Sequence, residues 1–193
     1  MTHVSQRPAR AGSDEGLVRR FVEGDETAFD EIVRAHRGEI YRVARRILGS
    51  HEDADEAAQE ALVRAWRSLD GFRGDSSIRT WLVRIAVNVA RTMLRRRGPE
   101  TTVDELPAVA DGGSGADQRI DRARVRAGVR QAVAALPERQ REVVVLKVFS
   151  AMTYREVAEV MGISEGAAKA HLHQAVANLR KIMASATPGH GES

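Results

Sequence analysis

Residues 72–97 read FRGDSSIRTWLVRIAVNVARTMLRRR, and the rest of the chain is organised around this stretch. It holds seven arginines against a single acid, Asp75. From Ser77 onward the spacing predicts a helix. Ile78, Trp81, Leu82, Ile85, Val89 and Met93 recur at i, i+3, i+4 and i+7 and form one apolar stripe facing a core. At about 100° per residue, Arg84, Asn88, Arg91 and Arg95 fall on a second stripe, roughly 120° around from the first. Arg96 and Arg97 extend that face at its C-terminal end. Three cations and an amide on one face suit a polyanion, and the amide is able to read a base edge. The same pattern also describes a solvated basic face whose last cations complement the helix dipole.

The loop before this helix, Phe72-Arg73-Gly74-Asp75-Ser76-Ser77, combines an aromatic, a cation, a flexible glycine and small hydroxyls. Such a loop is able to hold an unstacked base against an aromatic or arginine plane. Its serines equally serve as an N-cap for the helix.

Charge is distributed unevenly around the basic stretch. The whole chain of 193 residues carries a formal net charge of only +3. Residues 51–60, however, hold Glu52, Asp53, Asp55, Glu56 and Glu60 with no Lys or Arg, and residues 98–117 are acidic again. Two faces of opposite sign in one domain point to two different partners. The acids that open the 51–60 helix also suit the positive end of a helix dipole. As catalytic carboxylates they lack a neighbouring nucleophile or an apolar pocket to tune them.

The sequence contains no cysteine, which excludes disulfides and cysteine-ligated metal and fits a reducing cytoplasm. No apolar run approaches the ~18 residues that suggest a membrane span, and no signal-peptide core opens the chain. A soluble, cytoplasmic protein is expected. With aromatics at 4 %, two small cores fit better than one large one.

The order of elements follows from caps and periodicity. Residues 1–13 read as a disordered tail. Ser13 or Asp14 caps a short helix, Gly24-Asp25 breaks it, and Phe29, Ile32, Val33, His36, Ile40, Val43, Ala44 and Ile47 mark a long amphipathic helix closed by Gly49. His36 reads as a core-edge histidine. Ala58, Ala61, Leu62, Ala65, Trp66 and Leu69 form the buried stripe of the acidic-start helix. The first domain therefore spans 14–97. An acidic Gly/Pro linker follows at 98–118, able to stretch to about 65–70 Å.

A second domain is expected at 119–184, with a tail at 185–193. Ile120, Ala123, Val125, Val129, Ala132 and Val133 predict the inward face of its first helix, and Pro137 suits the first turn of the next. Val143 to Phe149 is the apolar part of that helix. Residues 153–173, TYREVAEVMGISEGAAKAHLH, have the spacing of a helix-turn-helix. Ala158 is small where the helices cross, Gly162 allows the turn, Ile163 plugs the core, Ser164 caps the second helix and Ala168 lies inward. A plain helical hairpin shares this pattern. Glu165, Gly166, Lys169, Ala170, His173 and Gln174 are then available to a major groove, with Lys169 and Gln174 suited to G and A edges. His171 and His173 diverge by about 200° on a helix and make a poor metal pair; no metal or cofactor is expected.

Three strings, GDETAFDEIVRAH, DADEAAQEALVRAWRSLDGFRGDSSIRTWLVRIAVNVAR and LPERQREVVVLKVFSAMTYREVAEVMGISEGAAKAHLH, together resemble the group IV, or extracytoplasmic function (ECF), sigma factors of the bacterial sigma-70 family. The resemblance covers roughly residues 17–183. It implies an all-α subunit of two helical domains, regions 2 and 4, that joins core RNA polymerase and directs it to promoters. Asp53, Asp55, Glu56, Gln59 and Glu60 fall in the segment that docks on the clamp helices of the β′ subunit. Phe72, Arg73, Asp75, Ser76, Arg79, Arg84, Asn88, Arg91 and Arg95 fall in the part that opens and reads the −10 element. Ser164, Glu165, Gly166, Lys169, Ala170, His171, His173 and Gln174 fall on the −35 reader. The resemblance also implies contact with the β subunit and control by an anti-sigma factor.

The chain departs from that pattern in two places. Its recognition helix carries Ala, two His, Gln and Val where basic or hydroxyl residues are common, which predicts fewer phosphate anchors. Ala57 and Ala58 are smaller than the residues usual before Gln59-Glu60. The competing reading is a stand-alone helix-turn-helix regulator that binds operator DNA; it accounts for residues 153–183 and leaves the acidic helix and the 72–97 element idle. For an enzyme, no phosphate loop, metal cluster or nucleophile–base pair is present in the sequence.

Overall fold

The computed structural model describes residues 13–97, 125 and 127–186, and every regular element among them is helical. The first domain comprises α1 (Asp14–Val22), α2 (Thr27–Leu48), α3 (His51–Ser68), a 3-10 turn (Leu69–Gly71) and α4 (Ile78–Arg97). The second comprises α5 (127–134), α6 (Glu138–Val144), α7 (Tyr154–Met161) and α8 (Glu165–Ala186). The expected tails, the 98–118 linker, Ile120 and Ala123 lie outside the described residues.

The caps explain where the helices begin and end. Ser13 Oγ accepts from Gly16 N at α1, and Ser50 Oγ accepts from Asp53 N at α3. Asp25 Oδ1 takes the backbone N–H of Thr27 at 3.1 Å, holding the entry to α2. Gly49 ends α2 at φ +80°, a conformation that glycine adopts without a Cβ penalty. In the first domain, α2, α3 and α4 pack on one another around Ile32, Ile40, Ile47, Leu48, Leu69 and Leu82, all buried.

Helix α4 is buried on two faces. Ile78, Leu82 and Val89 enter the first core, as their stripe predicts, with Trp81, Ile85 and Met93 half-buried beside them. Thr80, Val83, Val87 and Ala90, on another side, are buried as well. That second face packs on α7, so the apolar cluster runs without a break from one domain into the other. Small residues at 86 and 90 let the neighbouring helices approach closely.

Three expectations change, two of them in the second half. Val125, expected inward on α5, is exposed, while Ala132 and Val133 are buried. The helix beginning at Glu138 does not run regularly to Phe149. At Val145 it widens into a π turn, 145–149, which aims Val145 and Leu146 inward and leaves Val148 and Phe149 exposed. Trp66, assigned to a buried stripe, sets its ring edge-on against Phe21 and Phe29 with both centroids at 5.0 Å. It nevertheless remains 37 % exposed.

Candidate nucleic-acid interface

The basic helix begins at a well-made corner. Ser77 Oγ accepts from Thr80 N at 3.1 Å, so the serine-cap reading of the loop holds. Gly74 takes φ +74°, which lets the loop turn sharply without strain. Phe72 lies edge-on to Trp81 at 5.4 Å, leaving Arg73 and Asp75 exposed and Ser76 half-buried around an aromatic floor.

Along α4, Arg84, Asn88 and Arg95 are exposed and lie within about 40° of one another on the helix. Arg91, placed with them by periodicity, is a correction to that reading. Its guanidinium turns to the second domain and grips Glu142 in two bonds, Nε to Oε1 at 2.5 Å and Nη2 to Oε2 at 2.8 Å. Glu142 is fully buried, and the bond to it raises the Arg91 pKa above its ordinary value against the opposing effect of burial. Arg79 is engaged too. It donates twice to Glu39 and once, at 2.6 Å, to the carbonyl of Ser150, and the Glu39 bond raises its pKa.

The acidic-start helix divides its candidates. Glu56, Gln59 and Glu60 line a groove of about 390 Å³ between α3 and α4, together with Val63, Arg64, Val89, Thr92, Met93 and Arg96. Asp55 is half-exposed beside His51 at 3.6 Å. Asp53 does not share that face. It is buried, paired with Arg97 at the end of α4, and its Oδ2 has no hydrogen-bond partner. A carboxylate so placed orients the α3–α4 junction and offers nothing to an incoming surface.

In the second domain, Thr153 and Glu156 form a reciprocal capping box at α7, and Gly162 takes φ +66° between the helices. Ser164 Oγ accepts from Ala167 N at 3.1 Å and starts α8. Ala158 and Ala168 are buried at the crossing, with Ile163 half-buried beside them. Glu165, Gly166, Lys169, Ala170, His173 and Gln174 are exposed on one side of α8, and His171 is half-buried. Lys169 Nζ lies 5.5 Å from the Tyr154 ring centroid, within range of a cation–π contact.

This pair of surfaces has relatives. Residues 32–100 match the family model for sigma-70 region 2, and residues 126–179 match that for sigma-70 region 4. The RNA polymerase sigma-H factor of Pseudomonas aeruginosa is 34 % identical over 172 residues, covering 84 % of this chain and 89 % of that protein. The chain belongs to the ECF sigma-70 family. The ECF sigma factor SigM of Mycobacterium tuberculosis is 32 % identical over 173 residues, covering 89 % of this chain and 85 % of that one. Among solved structures, CnrH in complex with the cytosolic domain of CnrY superposes with a TM-score of 0.67 at 26 % identity. That superposition covers 90 % of this chain and 99 % of CnrH. The sigma factor RpoE of Bartonella quintana shares the fold at a TM-score of 0.66 and 22 % identity, over 80 % of this chain and 96 % of RpoE.

As a sigma factor the chain serves transcription initiation, a regulatory task rather than a catalytic one. Its region 2 comprises most of α2, with α3 and α4, and its region 4 runs from α5 through most of α8. Among the described residues no helix is long and apolar enough to cross a membrane, and no group of three or more metal-ligating side chains occurs. Val63, with Val89 and Met93 from the core stripe of α4, forms the apolar part of the α3–α4 groove, a place that sequence reasoning missed for all three. Val63 carried the one available signal, an apolar residue off the buried stripe of α3.

Proposed function

We propose that the chain binds core RNA polymerase and carries it to specific promoters, where it reads the −35 element and melts the −10 element. The observation that carries this reading is the double use of α4. One side of the helix helps to form the groove in which Glu56, Gln59 and Glu60 lie with Arg64 and Arg96. Another side presents Arg84, Asn88 and Arg95 along the helix that starts at the Phe72–Trp81 floor. A protein partner seated in the groove is thereby held beside a basic, aromatic-flanked face suited to opened DNA.

Polymerase docks through the groove, with Asp55 at its flank and Asp53 holding the α3–α4 junction in place. Arginines at 73, 79, 84, 91 and 95 draw phosphates by salt-dependent attraction. Phe72, Asp75, Ser76 and Asn88 line the place where a base taken from the stack is held, so melting is driven by capture of single-stranded bases. Helix α8 enters the major groove with Ser164, Glu165, Gly166, Lys169, Ala170, His171, His173 and Gln174 along its approach. One cation on that face, Lys169, gives weak −35 anchoring. The likeness to CnrH, solved with a cytosolic partner domain, supports control by an anti-sigma factor.

Run-off transcription with purified core polymerase over promoter fragments of the same genome tests the reading. Specific start sites that disappear in Asn88→Ala and Arg84→Ala are the expected result. No transcription with core, together with a shift of duplex DNA by the protein alone, would instead make it a stand-alone operator-binding regulator.

A further inference from the structure

The arginines of α2 take no part in the surfaces described above. Between Ile32 and Ser50 the chain carries Arg34, Arg37, Arg42, Arg45 and Arg46 against one acid, Glu39. That acid is bound by Arg79 of α4. Arg20, Arg64, Arg79, Arg91 and Arg97 all form ion pairs. None of the α2 arginines does so among the described residues. Arg34 Nε donates to the Asp30 carbonyl at 3.1 Å, and Arg46 Nη1 to the Arg42 carbonyl at 3.3 Å. Both guanidiniums therefore lie back along the helix that carries them, with their charge uncompensated.

Arg34, Gly38, Arg42 and Arg46 follow one another at i, i+4, which sets them on a single ridge of α2. From first to last the ridge is about 18 Å long. Arg37 flanks it, and Arg34, Arg37 and Arg42 are exposed. Gly38 leaves room for the Arg42 guanidinium, whose Nη1 would stand 3.2 Å from a Cβ at that position. At the other end Arg46 is half-buried, 4.7 Å from the centroid of the Phe149 ring. Burial lowers its pKa, and the neighbouring Arg42 lowers it further. Beside the ridge, Arg45 is buried and its Nη1 has no hydrogen-bond partner. A buried cation without a counter-charge is costly, and its field adds to that of the exposed ones.

The form of the ridge selects among anions. Over ~18 Å, a DNA duplex passes about five phosphates of each strand, enough to meet every guanidinium. A single strand wants rings to stack on, and the ridge offers none. Tyr41 is tied to His51 through its hydroxyl at 2.9 Å and an edge-on ring contact, and the Phe149 ring is taken by Arg46. A protein partner wants a buried apolar anchor. Between the arginines only Ala35 and Gly38 are exposed.

We propose that the α2 ridge is a further DNA-binding surface, one that holds the phosphate backbone of a duplex without reading its sequence. This rests on the reading under Proposed function only in taking DNA as the partner. The ridge is separate from the exposed face of α4 and from α8, and none of its residues lines the α3–α4 groove. It supplies sequence-independent attraction to a protein whose α8 reading face has Lys169 as its one cation.

Fluorescence anisotropy of a labelled duplex lacking both promoter elements, titrated with the full chain at several salt concentrations, tests the ridge. Arg34→Gln, Arg37→Gln and Arg42→Gln are combined in one protein. At ~0.9 per phosphate contact, the slope of log K against log salt should become shallower by about 2.7. Between about 50 and about 200 mM salt the wild type should then lose roughly 40-fold more affinity than the variant. Lysine at the same three positions keeps the charges and should restore the slope.

An unchanged slope in the folded glutamine protein overturns the proposal, and so does a lysine protein that behaves like the glutamine one. A single strand of the same length that binds as tightly, and through the same arginines, overturns the choice of a duplex. If the wild type with core polymerase yields no start sites, the initiation reading fails. The slopes, measured without polymerase, still decide the ridge.

Discussion

Arg79 and Glu39, on α4 and α2, meet through two charge-assisted hydrogen bonds, Nε to Oε2 at 2.8 Å and Nη2 to Oε1 at 2.5 Å. Both side chains are mostly shielded from water, at 31 % and 19 % exposure. The pair fixes the first turn of α4, and with it the loop that carries Phe72, onto the middle of α2. Glu39→Gln keeps the shape and removes the charge. It is expected to destabilise the protein by about 1–3 kcal/mol, read as a lower urea midpoint with an unchanged slope.

Glu156 sets an acid limit on the second domain. Its pKa is lowered, first by the Thr153 backbone N–H that its carboxylate accepts, then by the Thr153 hydroxyl and by Arg79. A carboxylate depressed in the folded state adds stability that is fully present above its unfolded pKa. That stability is lost as pH falls through the folded value. Glu156→Gln should therefore narrow the stability difference between neutral pH and the acid side of the carboxylate range, measured as urea midpoints across that window.

On the proposed −35 role of α8, Gln174 and Lys169 separate reading from anchoring. Gln174→Ala is expected to cost about 1–3 kcal/mol at one base pair and relax specificity there, because a bidentate adenine contact is lost. Lys169→Ala should weaken binding evenly across sequences and reduce the salt slope by about one, as removal of a phosphate contact does. Competition assays with base-substituted −35 duplexes, run at several salt concentrations on the polymerase-bound protein, distinguish the two.

Gly162, at φ +66° with open space where a Cβ would stand, predicts a purely conformational penalty. Gly162→Ala should cost about 1–2 kcal/mol. Gly162→Asn should cost less, since asparagine enters the left-handed region more readily. Thermal unfolding of the three proteins orders them.

Local signals were legible in the sequence. The serine before α1, the glycine after α2 and the whole 153–173 helix-turn-helix depend on residues a few positions apart, and each forms as its spacing predicts. What was not legible depends on distant residues. Periodicity identified the stronger apolar stripe of α4 and treated the rest as open. Val83, Val87 and Ala90 sit off that stripe and are buried by a domain far along the chain. Arg91 looks like its exposed neighbours until Glu142, 51 positions away, is brought beside it. Asp53 reads as one more acid in a run, and only the return of Arg97 shows which way it faces. The π turn at 145–149 follows from no local residue pattern, so Val143 to Phe149 read as one apolar run of a regular helix.

The bond from Arg141 to the Ile47 carbonyl spans 94 positions of sequence, and such distant contacts form late because long loops must close first. On the ribosome, α1–α4 are synthesised before any of region 4. At ~5–20 residues per second, the interval between completion of α4 and emergence of the 145–150 turn is several seconds. During that interval the nascent first domain shows Arg91 and the Val83–Val87 face uncovered. The apolar side of α4 is therefore covered only once region 4 has been made.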